Sequence, residues 1–123
     1  ISLKSVELLS KLIDFVIKHT PYTDREQIEG FILAHEKYGT LDYCFDKSGE
    51  VIFVCRWNIY KNTARILELI IAPKYRKIRT IKWIMARNLP RFPYVRFLEW
   101  ERGRKYPQRG FKLYSIDELI RRK

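Results

Sequence analysis

The stretch that most constrains this chain is residues 65–79, Arg-Ile-Leu-Glu-Leu-Ile-Ile-Ala-Pro-Lys-Tyr-Arg-Lys-Ile-Arg. Across 66–72 a single charge, Glu68, interrupts a run of Ile, Leu and Ala. So short and continuous an apolar run predicts a strand covered on both faces. Pro73 ends it, having no N–H to give to a ladder. A short basic turn follows, and then Ile78, Ile81, Ile84, Met85 and Leu89 recur at helical spacing. The first N–H groups of such a helix have no partner within it and point outward, so strand, basic turn and helix together make a geometry that suits phosphate. Many core strand–helix units share this pattern, so alone it defines a piece of fold rather than a function.

The rest of the chain supplies partners for that unit. Leu3, Val6, Leu9, Leu12, Ile13, Val16 and Ile17 predict an amphipathic helix that ends at His19-Thr20-Pro21. Thr23 and Asp24 are both good N-caps for a second helix, with Glu26 and Gln27 each three residues further on. Ile28, Phe31 and Ile32 form its apolar face, and Gly39 stops it. Gly30 within it either costs about 1 kcal/mol against Ala or marks close packing. Leu41, Tyr43 and Phe45 alternate with polar residues as a half-buried strand does. Asp46-Lys47-Ser48-Gly49 has hairpin-turn composition, and Val51, Phe53, Cys55, Trp57 and Ile59 line a longer strand. Tyr60-Lys61-Asn62-Thr63 is a second turn. Beyond the central helix, Pro90 and Pro93 stiffen a connection to a strand over 94–101, and a last strand covers 111–116, with Ser115 or Asp117 as the cap of a closing helical turn that includes Glu118. The expected class is α/β (α+β): two N-terminal helices, a three-stranded antiparallel meander, then strand-helix-strand-strand in one mixed sheet.

At 123 residues this is one domain by length, spanning 1–123. The longest apolar runs are far short of the ~18 residues that would span a bilayer, and no signal-peptide pattern opens the chain. The net charge of +11 is unevenly placed. Residues 1–73 hold 9 Lys/Arg and 10 Asp/Glu, whereas residues 74–123 hold 16 and 4. The excess starts at the basic turn and favours a polyanionic partner: a phosphorylated cofactor, nucleic acid or an acidic protein surface. A solvated basic face that keeps a small protein soluble is the plainer explanation. An anionic membrane surface is disfavoured, because the basic segment lacks an exposed amphipathic helix. A tight turn at Lys47-Ser48 would set Cys44 opposite Val51, so a Cys44–Cys55 disulfide is not expected, and a reduced cytoplasmic (intracellular) setting is the default.

Leu69-Ile70-Ile71-Ala72-Pro73-Lys74-Tyr75-Arg76 resembles the strand and turn of GNAT-superfamily N-acetyltransferases, which commonly read as apolar strand, Pro, x, Tyr-Arg. Tyr106-Pro107-Gln108-Arg109-Gly110-Phe111 is similar to that family's Tyr-x-x-x-Gly-Phe. The resemblance covers roughly residues 24–120 as topology and about a dozen positions as motif. It departs in three respects. Arg79 and Ile81 fall where the family's pyrophosphate loop has glycines, the usual first strand is not evident, and the helix between the last two strands is nearly absent.

The resemblance implies acetyl transfer from acetyl-CoA to an amine. Backbone groups at Leu69, Ile70 and Ile71 would hold the pantetheine arm; Arg76, Lys77, Arg79 and Thr80 would face the pyrophosphate. Tyr106 would be the general acid and Glu68 the base. For Tyr106 the bland alternative is a loop tyrosine pinning the last strand, and for Glu68 it is an ion pair with Arg65 or Arg96. The second functional reading is an inactive GNAT-like module that binds nucleic acid, or takes a place in an assembly such as a virion, through its basic half. Arg102, Arg104, Lys105 and Arg109 around Tyr106 would suit that role. His19 and His35 lack metal-ligand spacing and are expected on helix surfaces, with no metal. Trp57, Trp83 and Trp100 fall at strand or helix positions and are expected in the core, with base stacking as the alternative.

Overall fold

A computed structural model of the protein describes residues 5–100 and 112–115. The elements run α1 (Val6–His19), α2 (Arg25–Lys37), β1 (Leu41–Phe45), β2 (Val51–Tyr60), β3 (Thr63–Ile71), α3 (Ile78–Asn88), β4 (Phe97–Trp100) and β5 (Lys112–Ser115). The five strands form one mixed sheet in the order β1-β2-β3-β4-β5. β1 and β2 are antiparallel, β4 runs parallel to β3, and β5 returns antiparallel to β4. Packing divides the chain into two compact units: Ile1–Arg56 with Glu68–Tyr75, and Trp57–Leu67 with Arg76–Lys123.

In the first unit, the apolar stripes of α1 and α2 meet one face of the sheet. Leu12, Val16, Ile28 and Ile32 are fully buried there, with Val54 and Ile70 in the same cluster. Each such side chain contributes roughly 1.5–3 kcal/mol over leaving it in water. Of the two cap candidates, Asp24 starts α2: its Oδ1 accepts from the amides of Glu26 (3.0 Å) and Gln27 (3.3 Å). Gly30 is exposed, and a Cβ added there would meet nothing within 4 Å, so close packing does not explain it.

The hairpin between β1 and β2 departs from a simple two-residue turn. Asp46 Oδ1 gathers the amides of Ser48 (2.9 Å) and Glu50 (3.0 Å) and the Ser48 hydroxyl (2.7 Å), while Gly49 takes φ +87°. The register slips between Cys44 and Phe45, so Cys44 lies opposite Phe53 rather than Val51. Cys55 faces Asp42, and both cysteines are free thiols.

In the second unit, the turn between β2 and β3 contracts to Lys61-Asn62, with Lys61 in the left-handed region at φ 54°. β3 therefore begins at Thr63, ahead of its apolar run, and Ala64 is buried. β4 begins at Phe97 rather than at residue 94. The Val95 amide turns back to the Phe92 carbonyl (3.0 Å), and the amides of Arg96 and Phe97 both donate to Asn62 O. Trp57 is fully buried, its ring 5.9 Å from that of Phe92.

α3 buries most of the stripe that its sequence suggests: Ile84, Met85 and Leu89 are buried and Ile81 is half-buried. Ile84, Met85 and Asn88 face inward, while Ile78 is 62% exposed and Trp83 42% exposed. Trp83 is thus not a core residue, because its neighbours Ile84 and Met85 take the buried positions. Among the described residues no helix is long and apolar enough to cross a membrane.

Candidate functional site

β3 carries the candidate base. Glu68 Oε1 accepts from Arg56 Nε at 3.3 Å, and both side chains are largely buried. The Arg56 guanidinium also lies 4.5 Å from the centre of the Phe31 ring on α2. An ion pair was expected here, but with Arg65 or Arg96. The partner is Arg56 because residues 65 and 68, three apart, point to opposite faces of a strand. Arg65 instead reaches Glu99, its register partner on β4, at 2.7 Å. The Arg56–Glu68 contact uses one carboxylate oxygen. The second, Oε2, accepts no hydrogen bond among the described residues.

β3 ends with Ile70 and Ile71 buried and Leu69 half-buried. The Ala72 amide donates to Ile52 O (2.8 Å), and the chain then folds into a short 3-10 turn, Pro73–Tyr75, closed by the Tyr75 amide on Ala72 O (2.9 Å). In the other unit, the parallel register pairs Thr63 with Phe97 and continues to Ile66 with Trp100.

α3 starts on Lys77, whose extended backbone is that of an N-cap but whose side chain makes no capping bond. The amides of Thr80 and Ile81 return to Lys77 O. Those of Ile78 and Arg79 are left for an outside acceptor, as at any uncapped helix start. No acidic residue stands in the first turn, and Arg76, Lys77 and Arg79 are exposed, with Thr80 half-buried. Lys61 is the non-glycine residue with positive φ among those described, so Arg79 and Ile81 sit in ordinary helical backbone. The turn therefore needs no glycine for its conformation; glycine would offer only a closer approach.

The remaining candidates divide plainly. Tyr106 and its basic neighbours Arg102, Arg104, Lys105 and Arg109 lie outside the described residues, as do Asp117 and Glu118. His35 Nδ1 is 2.7 Å from Thr40 Oγ1, and the His19 ring packs 4.6 Å from that of Phe15. Among the described residues no three His, Cys, Asp or Glu side chains group as a metal site would require. Burial, and then the charges of Glu36 and Asp42, raise the Tyr43 hydroxyl above its usual range. The feature that the sequence reading missed is the clamp of Phe31, Arg56 and Glu68. Little in the sequence signals it, because Arg56 alternates with Val51, Phe53, Cys55 and Trp57 and so falls on the other face of β2.

No protein-family model matches the sequence, and no curated protein matches it. The fold does have counterparts among solved structures. One is a chimera of the spermidine N-acetyltransferase SpeG from Vibrio cholerae and hSSAT, with a TM-score of 0.51 and 16% identity over 76% of this chain and 68% of that one. Another is a pair of glutamate-to-glutamine mutant forms of the spermidine/spermine N-acetyltransferase SpeG from Vibrio cholerae, with a TM-score of 0.52 and 15% identity over 80% of this chain and 66% of that one. The chain thus spans about two-thirds of the length of each. With its two leading helices, antiparallel β1–β3 and parallel β4 beyond α3, this protein has a GNAT acetyltransferase fold.

Proposed function

We propose that this protein is an acyl-CoA N-acyltransferase that moves an acetyl group from acetyl-CoA to an amine. The observation that carries the reading is the start of α3: an uncapped helix with no acid in its first turn and three exposed cations, following directly on β3 and its turn. A helix start attracts anions through its free amides and its dipole. Here the side chains repeat that preference instead of neutralising it. The counterparts in fold, named as spermidine N-acetyltransferases, are consistent with acetyl transfer.

In this reading, the backbone at Leu69, Ile70 and Ile71 holds the pantetheine arm, and Arg76, Lys77, Arg79 and Thr80 hold the pyrophosphate. Acetyl-CoA supplies the thioester carbonyl. The chain's own work is to place the amine and move two protons, one off the attacking nitrogen and one onto the leaving sulfur. Glu68 takes the first: Arg56 and Phe31 fix one of its oxygens and leave Oε2 for the acceptor's nitrogen. Tyr106 gives the second.

Thermal melting with CoA tests this. Ligand at about 100 times its dissociation constant should add about 2.7 kcal/mol of stability. The double variant Arg76→Glu/Arg79→Glu should melt near the wild-type temperature without CoA and gain nothing from it. No heat of binding with millimolar CoA would remove the proposal.

A further inference from the structure

Between Glu68 and Glu99 the chain holds eight Lys and Arg residues and no Asp or Glu. α3 lies within that stretch. Its inward positions are Ile84, Met85 and Asn88; its exposed positions include Arg79, Lys82, Trp83, Ala86 and Arg87. These recur every three or four residues, so they share one face. At the centre of that face stands Trp83, 42% exposed, with Arg79 one turn before it, Lys82 beside it, and the Arg87 guanidinium 5.3 Å from its ring centre. Same-sign neighbours at these spacings cost a helix a few tenths of a kcal/mol per pair, and the sequence of α3 itself contains no Asp or Glu.

We propose that the outer face of α3 docks single-stranded nucleic acid, with the cations on phosphates and Trp83 under a base. The chemistry favours this occupant. Cations spaced one helical turn apart around a flat indole match a strand in which phosphates and planar bases alternate. A duplex hides its base faces and would use only the charges. An anionic membrane would need more apolar surface than Ile78 and Trp83 expose on this helix. The inference does not rest on the acetyl-CoA reading.

Fluorescence anisotropy of a labelled oligothymidine of about 12 nucleotides, followed across a salt series, is the test. Wild-type affinity should fall linearly on a double-logarithmic plot against salt. Lys82→Glu and Arg87→Glu should each flatten that slope by about 0.7. Trp83→Ala should weaken binding about tenfold with the slope unchanged, and Trp83→Phe should recover most of the loss. Three results would overturn the proposal: no binding at low salt, Trp83→Ala binding as tightly as wild type, or heparin or anionic vesicles bound where the oligonucleotide is not. Stabilisation by CoA should be the same in Trp83→Ala as in wild type, which keeps this result separate from the fate of the enzyme proposal.

Discussion

The three described α-helices begin in two opposite ways. α1 starts on Ser5, whose hydroxyl accepts from the Leu8 amide, and has Glu7 in its first turn. α2 starts on Asp24, which accepts two amides, with Glu26 next in line. Both ends meet their free N–H groups and positive dipole with oxygen and negative charge supplied by the chain itself. α3 supplies neither: Lys77 caps nothing, and Arg79 stands where an acid would be favourable. An end neutralised from within needs no ligand. An end made more positive costs stability until an anion arrives, and that is the electrostatic imprint expected of a phosphate site.

The largest effect within this comparison should come from the best cap. Asp24→Ala should destabilise the protein by about 1 kcal/mol, within a range of roughly 0.5–2, read as a lower urea midpoint at unchanged m-value. Lys77→Ala, at a start with no cap to lose, should leave the midpoint within experimental scatter. Equal effects from the two variants would erase the contrast between α2 and α3.

What could be read ahead of the structure follows the same physics. Periodicity placed α1, α2 and α3, because a stripe that must be buried repeats at 3.6 residues whatever covers it. Asp24 and Thr23 looked equivalent, since a capping box is a spacing and both satisfy it. Side-chain direction was harder. Ile78 belongs to the helical stripe and Trp83 was expected in the core, yet Ile84 and Met85 occupy the interior and leave both exposed. The Glu68 partner was missed because Arg65 and Arg96 were weighed, whereas the parity of strand positions excludes Arg65 and β2 supplies Arg56. The β1–β2 register depended on a bulge beside Asp46, and a bulge is one extra residue that composition does not announce. The basic turn before α3 was legible in full, because charge and proline speak for themselves. Whether Arg79 replaces a glycine harmlessly was not, since it turns on backbone angles.

Giving α3 the cap it lacks should sharpen the contrast. Lys77→Asp introduces an acceptor for the N2 or N3 amide and a negative charge at the dipole, and should stabilise the free protein by about 0.5–1 kcal/mol. The same change should shrink the rise in melting temperature that CoA produces. Gain in one measurement and loss in the other is the expected signature of an end kept open for an anion. A variant that is more stable and binds CoA undiminished would show that the helix start is not where the cofactor's phosphates sit.

The smallest effect concerns a carboxylate that does a cap's work without a helix. Asp46 holds the hairpin amides of Ser48 and Glu50, with Lys74 Nζ 3.9 Å from its other oxygen. The Ser48 hydroxyl first, then the Glu50 and Ser48 amides and the Lys74 charge, lower its pKa below the usual carboxylate range. A lowered folded-state pKa means that the unfolded chain takes up the proton first as pH falls. The contribution of Asp46 is therefore complete above the ordinary aspartate value of about 3.9 and is lost as pH drops through the folded one. Asp46→Asn keeps an acceptor oxygen but removes the charge, so its melting temperature should fall less than that of wild type between neutral pH and pH near 3. Asp24→Asn offers the matching test at α2, where Asn is as good a cap as Asp and the neutral-pH midpoint should hardly move. If Asp46→Asn and wild type lose stability in parallel on acidification, the hairpin needs the shape of Asp46 and not its charge, and the likeness between this turn and the capped helix starts ends there.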